Sequence, residues 1–287
     1  MTHIELNGKV VLVTGANSGI GRVTARTLAL QGYRVFLACR SEAKTRPVLD
    51  EIQRLSNGTA RAEFIPLDLG DLGSVRRCAR AFLKLGLPLN LLIGNAGLAG
   101  QKGITTSGFE LAFGTCHLGH FLLVDLLTQR LIRSAPARIV MVSSKAHRHA
   151  QSIDFTTLQS PTQTRTAMKE YAVAKLANLL HTKELARRLS GTGVTTYAVH
   201  PGVVATDVWR AAPKALIWPL KFFMRSEEEG AQTTLFCATS LSLGAQSGLY
   251  YADCRAEDAS SVASSPSLAA ELWKQSERWV AEHAWPR

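Results

Sequence analysis

Short apolar runs alternate with longer amphipathic stretches along most of this chain, and that alternation limits its fold more tightly than any other feature. Residues 9–14 (KVVLVT), 34–39 (RVFLAC), 62–67, 89–93, 138–142 and 194–199 are runs of strand length. Helical periodicity fills the intervals at 20–31, 42–55, 71–85, 109–132 and 167–189, with Ser41 placed to cap the second helix. Strands that are apolar on both faces and separated by helices predict a mostly parallel sheet covered on both sides, with right-handed crossovers. After His200 the rhythm breaks into a loop over 201–225. Ser226 to Glu229 then has the form of a capping box opening a helix to about Ser240. A short strand at 249–251 and a helix over 267–282 close the chain.

No repeat or linker interrupts this pattern, so the chain reads as one domain over 1–287. Hydrophobic residues make up 46% of the 287, enough for a large core, and 22 glycines against 10 prolines suit many tight strand-to-helix turns. The formal charge of +11 favours anionic partners or marks a solvated basic surface. Without a run of five or six basic residues it does not predict nucleic-acid binding. The five cysteines are far apart and form no C-x-x-C pair, which argues for a reducing, cytoplasmic setting and against a structural metal. His117 and His120 lie close on one helix, but no third ligand accompanies them. The polar start lacks a signal-peptide pattern, and no run of about 18 apolar residues predicts a spanning helix.

Between the first strand and first helix stands Thr14-Gly15-Ala16-Asn17-Ser18-Gly19-Ile20-Gly21. Gly15 permits a sharp turn, Gly19 lets a diphosphate approach the backbone, and Gly21 allows close helix–strand packing. The helix then offers free N–H groups to an anion. The second strand ends in Cys39-Arg40, without the carboxylate that would accept ribose hydroxyls, so a 2′-phosphate and hence NADP(H) are favoured. Arg22 can add charge there, unless both arginines are ordinary surface residues. Asp68, after the third strand, is placed to cap the next turn.

Tyr171 and Lys175 stand four apart on one helical face, and no other tyrosine in the chain has lysine at that offset. A free tyrosine has a pKa of about 10, and a neighbouring ammonium favours its phenolate. Such a phenol can give a proton to a carbonyl or take one from an alcohol. Ser143-Ser144 ends the fifth strand, where parallel sheets bind ligands.

The glycine spacing with Thr14, Asn95-Ala96-Gly97 after the fourth strand, the Tyr171/Lys175 pair and Pro201-Gly202 with Thr206 resemble the short-chain dehydrogenase/reductase family. Within it, retinol-dehydrogenase-like members are similar in CHLGHFLL (116–123), YAVAKLANLL (171–180), TTYAVHPG (195–202) and the 26 residues between Ser144 and Tyr171. The resemblance implies a Rossmann-like doubly wound α/β fold with about seven parallel strands. It implies Ser144, rather than Ser143, as the hydroxyl beside Tyr171. Cofactor contacts are implied for Gly15, Asn17, Ser18, Gly19, Ile20, Gly21, Arg40, Asp68, Leu69, Asn95, Ala96, Gly97, Tyr171, Lys175, Pro201, Gly202, Val204 and Thr206. Two positions depart from the family: Gly94 replaces the first asparagine of N-N-A-G, and Cys116 replaces a catalytic asparagine. Cysteine keeps the main-chain carbonyl, so retuned activity is expected; it is equally believable as a small buried residue.

Residues 203–230 fall where the family carries a substrate flap, and Trp209, Leu216, Ile217, Trp218, Leu220, Phe222 and Phe223 make it apolar. It suits a lipophilic alcohol or carbonyl such as a retinoid, steroid or aliphatic aldehyde, or else fills the core or a subunit contact. Lys214, Lys221 and Arg225 border it, which allows peripheral membrane contact. The family habit implies a homodimer or homotetramer through the two long helices. Three readings stand: an NADP(H)-dependent oxidoreductase, a cofactor-binding scaffold or sensor with weak catalysis, and an enzyme of this fold with other chemistry.

Overall fold

A computed structural model describes residues 8–202, 225–244 and 246–283. The first half alternates β1 (Val10–Thr14), α1 (Gly19–Leu30), β2 (Arg34–Cys39), α2 (Glu42–Leu55), β3 (Arg61–Pro66), α3 (Leu72–Lys84) and β4 (Leu91–Gly94). Then come α4 (Leu111–Arg133), β5 (Ala137–Val142), α5 (Met168–Arg188), β6 (Val194–His200), α6 (Glu227–Thr239), β7 (Leu249–Ala252), β8 (Arg255–Glu257) and α7 (Pro266–Glu282).

The strands form one sheet in the order β3-β2-β1-β4-β5-β6-β7-β8. Seven run parallel, and β8 pairs antiparallel with β7. The expected seven or so parallel strands are present, and one antiparallel strand is added at the edge. A turn with Asp253 and Cys254 both at positive φ makes it, and neither residue is the glycine that usually marks such a hairpin.

Side chains alternate between two cores, as a two-sided sheet requires. Leu12, Phe36 and Leu92 pack with α3, α4, α5 and α7 on one face, while Val11, Val13 and Leu37 pack with α1, α2 and α6 on the other. Ser41 caps α2 as its sequence predicts, and Ser226 with Glu229 completes the capping box of α6. By length and composition α4 could cross a membrane, but most of it is buried inside the protein, so it is a core helix. The outer faces of α4 and α5 are covered by α7: Trp273 meets Phe121 and His181, and Trp279 meets Phe113. A subunit contact through that face of the two long helices, as the family habit implies, would have to displace α7.

Candidate active site

Strand order reverses between β1 and β4, and ligands of such sheets bind in the crevice beyond the strand ends at that point. The glycine turn lies on its rim. Gly15 and Gly19 have φ of +65° and +56°, where a Cβ is strained. A Cβ on Gly15 would fall 2.9 Å from the Ala96 Cα, and one on Gly21 would fall 2.3 Å from the Gly15 carbonyl oxygen. The turn is thus pressed against the Asn95-Ala96-Gly97 segment. Ser18 is extended, its side chain caps nothing among the described residues, and the first turn of α1 has no acidic residue. The helix end is left open to an anion, which fits a diphosphate.

Thr14 ties turn and segment together. Its hydroxyl accepts the N–H groups of Asn95 (2.9 Å) and Ala96 (3.0 Å). Asn95 returns its side-chain amide to the Thr14 carbonyl at 2.9 Å. Asn17 and Ile20 are half-buried at the same rim, and Ser18 and Gly97 are exposed.

Arg40 and Asp68 lie on neighbouring strand ends, since β2 and β3 pair Cys39 with Pro66. Arg40 is exposed and forms no ion pair among the described residues. Arg22 is differently placed: its guanidinium lies 2.9 Å from Glu51, which also holds Arg26 at 2.7 Å. Both contacts hold the Glu51 carboxyl below its usual range, the Arg22 hydrogen bond most strongly. Arg22 therefore joins α1 to α2 instead of standing free for a 2′-phosphate. The Asp68 carboxylate accepts the Gly70 N–H at 2.9 Å, so it does shape the local turn. The Leu69 side chain is in the core, which leaves only its backbone for a ligand.

The catalytic candidates converge at the ends of β5 and β6. Lys175 is buried, and its ammonium donates to the Val142 carbonyl at 2.9 Å, sharing that oxygen with the Asn178 amide at 3.1 Å. Its Nζ stands 5.5 Å from the centre of the Tyr171 ring. Burial raises the Tyr171 pKa above the ordinary phenol value, while the Lys175 charge and the Ser144 hydroxyl pull it down. The two serines divide their work. Ser143 is buried and donates to the Lys175 carbonyl at 2.8 Å, locking α5 to β5. Ser144 is half-buried and accepts the Ala146 N–H at 3.1 Å, which leaves its own proton for another partner. Nearby, the Lys145 N–H reaches His200 Nδ1 at 3.3 Å, holding the end of β6 against this segment.

Cys116 lies in a π turn, Gly114–Leu118, inside α4. Its Sγ and Lys175 Nζ flank Gly97, standing 3.4 and 3.3 Å from where a Cβ of that glycine would be. Cys116 is thus both a small buried residue and a neighbour of Lys175. Pro201 is buried and Gly202 has φ of +85° with Arg225 packed against it. Val204, Thr206 and residues 203–224 of the segment expected to form a flap lie outside the described residues.

Two site features escape the motif reading. Asn178 shares the carbonyl that holds Lys175, and His120 reaches Thr14. Both sit on the helical face of a residue already singled out, three after Lys175 and four after Cys116, and that spacing is the signal that could have found them.

Residues 9–216 match the sequence profile of the short chain dehydrogenases. The chain belongs to the short-chain dehydrogenase family. It is 46% identical to retinol dehydrogenase 12 of Homo sapiens over 278 residues, 96% of this chain and 87% of that protein. Human retinol dehydrogenase 11 is 45% identical over 273 residues, 94% of this chain and 85% of that protein. A WW domain-containing oxidoreductase of Danio rerio is 41% identical over 292 residues, 98% of this chain and 71% of that protein. Among solved structures, an uncharacterized protein from Mycobacterium paratuberculosis superposes with a TM-score of 0.77 at 32% identity, covering 96% of this chain and 94% of that one. The chain is accordingly an oxidoreductase of this family, similar to the retinol dehydrogenases.

Proposed function

We propose that this short-chain dehydrogenase interconverts an alcohol and a carbonyl on a lipophilic substrate, with NADP(H) as cofactor. The observation that carries the reading is the convergence of Tyr171, Lys175 and Ser144 beside an open, glycine-lined helix end. A bound nicotinamide would supply or accept the hydride. Gly15, Gly19 and Gly21 with the first turn of α1 would hold its diphosphate, and Asn95-Ala96-Gly97 would wall the crevice. Exposed Arg40 is the cation best placed for a 2′-phosphate, since Arg22 is spent on Glu51.

Tyr171 is the proton donor and Ser144 orients the reacting oxygen. Burial keeps the phenol protonated at neutral pH, the form needed to reduce a carbonyl. Lys175 supports the phenolate left behind. A retinoid-like substrate is supported by the relatives and by the apolar sequence of the flap. The five free cysteines support a reducing compartment, and the basic border of the flap supports peripheral contact with a membrane.

Consumption of NADPH and of NADH against a panel of aldehydes and ketones, retinal included, tests this. Turnover with NADPH on lipophilic carbonyls is expected. NADPH binding without turnover on any of them would instead favour a cofactor sensor, the reading that Cys116 motivates.

A further inference from the structure

His120 is buried one helical turn beyond Cys116, and both of its ring nitrogens have partners. Nε2 lies 2.8 Å from the Thr14 hydroxyl and Nδ1 lies 2.9 Å from the Cys116 carbonyl oxygen. The proton order follows from counting donors. A threonine hydroxyl has one proton and two lone pairs. Thr14 uses its lone pairs on the Asn95 and Ala96 amides, so its proton must leave in a third direction. Two acceptors compete for it, His120 Nε2 at 2.8 Å and the Ile93 carbonyl at 3.4 Å, and the nearer one wins. Nε2 is then an acceptor, so the neutral ring carries its proton on Nδ1 and donates it to Cys116. Burial supports the neutral ring by pulling the His120 pKa down to about 4.

The space for this ring comes from Gly94. A Cβ there would stand 3.3 Å from His120 Cδ2 and 2.6 Å from Met141 Sδ. The glycine that departs from the family's asparagine is thus the residue against which the imidazole packs. On the other side, the π turn pairs Gly119 N–H with the Gly114 carbonyl, one residue further back than in an α-helix. Amides in such a turn are displaced from the carbonyls they would ordinarily meet, and π turns recur at functional sites. The His120 side chain supplies a donor to the Cys116 carbonyl at this displaced point.

We infer that His120 is a positioning residue that clamps the Thr14–Asn95–Ala96 cofactor wall to the Cys116 turn beside Lys175. It sets the direction of the Thr14 hydroxyl and of the Cys116 carbonyl at once, so the cofactor wall and the lysine side of the active site are held in one register. Its functional consequence rests on the NADP(H) reading above, while the clamp itself can be measured without a cofactor.

Two measurements test it. Long-range proton–nitrogen NMR of histidine-labelled wild-type protein at neutral pH should show His120 protonated on Nδ1 and bare on Nε2. The opposite tautomer, or an imidazolium, would overturn the clamp whether or not the protein binds a nicotinamide. NADPH titration by fluorescence should then give a Kd raised about tenfold in His120→Phe and in Thr14→Val, with the double variant no worse than the poorer single one. A His120→Phe protein with wild-type Kd, or additive losses in the double variant, would also overturn it. Should His120→Phe not fold, the tautomer decides alone. Failure of the wild type to bind any nicotinamide would sink the cofactor reading, and the tautomer would still decide the clamp.

Discussion

Single side chains separate scaffold from chemistry at the crevice. Arg22 and Arg40 look alike in sequence, yet one is spent on Glu51 and the other is exposed. Arg40→Ala should raise the KM for NADPH about tenfold and leave that for NADH nearly unchanged, because a phosphate-gripping cation matters only where the phosphate exists. Arg22→Ala should instead lower thermal stability, with a much smaller effect on that KM, since it breaks the link between α1 and α2. Steady-state kinetics with both cofactors, beside a melting curve for each variant, checks the pair. The sequence made both arginines candidates because charge and proximity were all it offered. Which one finds a carboxylate depends on how α2 packs against α1. Ser144 was separable from Ser143 only by resemblance, whereas in the fold Ser143 is committed to the Lys175 carbonyl.

At the scale of elements, the glycine turn and α7 are the pieces on which most depends. Gly21→Ala places a methyl 2.3 Å from a main-chain oxygen that cannot move without carrying the turn with it. The variant should lose NADPH binding by tenfold or more by titration, an estimate at the scale of overpacking costs of roughly 1–3 kcal/mol. In α7, Trp279 is buried against Phe109 and Phe113. Trp279→Ala should cost about 3–5 kcal/mol of stability in denaturant unfolding and expose the faces of α4 and α5 that α7 covers. Most elements were legible from periodicity and capping: β2 and α2 fall on the residues their patterns mark. The π turn and β8 were not. A π turn leaves no residue signature in an apolar helix, and an Asp-Cys hairpin lacks the glycine that normally announces one.

Across the molecule, buried histidines make the fold acid-sensitive. His120 is packed between α4 and the ends of β1 and β4, and His181 between α4, α5 and α7, with pKa values drawn down by burial to about 4 and about 3. In the unfolded chain both titrate near 6.5. The unfolded state therefore takes up protons first as pH falls. The histidines' contribution is full above about 6.5, declines below it by about 1.4 kcal/mol per pH unit for each ring, and is gone once pH has fallen through about 4 for His120 and about 3 for His181. Urea unfolding between pH 7 and pH 4 should show the midpoint dropping steadily, and a flat profile would mean these rings titrate normally in the fold. The alternation of strands and helices made the architecture readable from the start, and the strand ends told where to look for a site. Substrate choice could not be read that way, because the apolar composition of 203–230 says only that a ligand bound there would be lipophilic.

Tyr171 is the proposed proton donor of this site. The direct test is NADPH-dependent reduction of the best carbonyl substrate by the wild type and by Tyr171→Phe, with NADPH binding measured on both. Turnover should fall by about a hundredfold or more in the variant, with cofactor affinity changed little, because the substitution removes only the proposed proton donor. A Tyr171→Phe protein that binds NADPH and still turns over at the wild-type rate would contradict it.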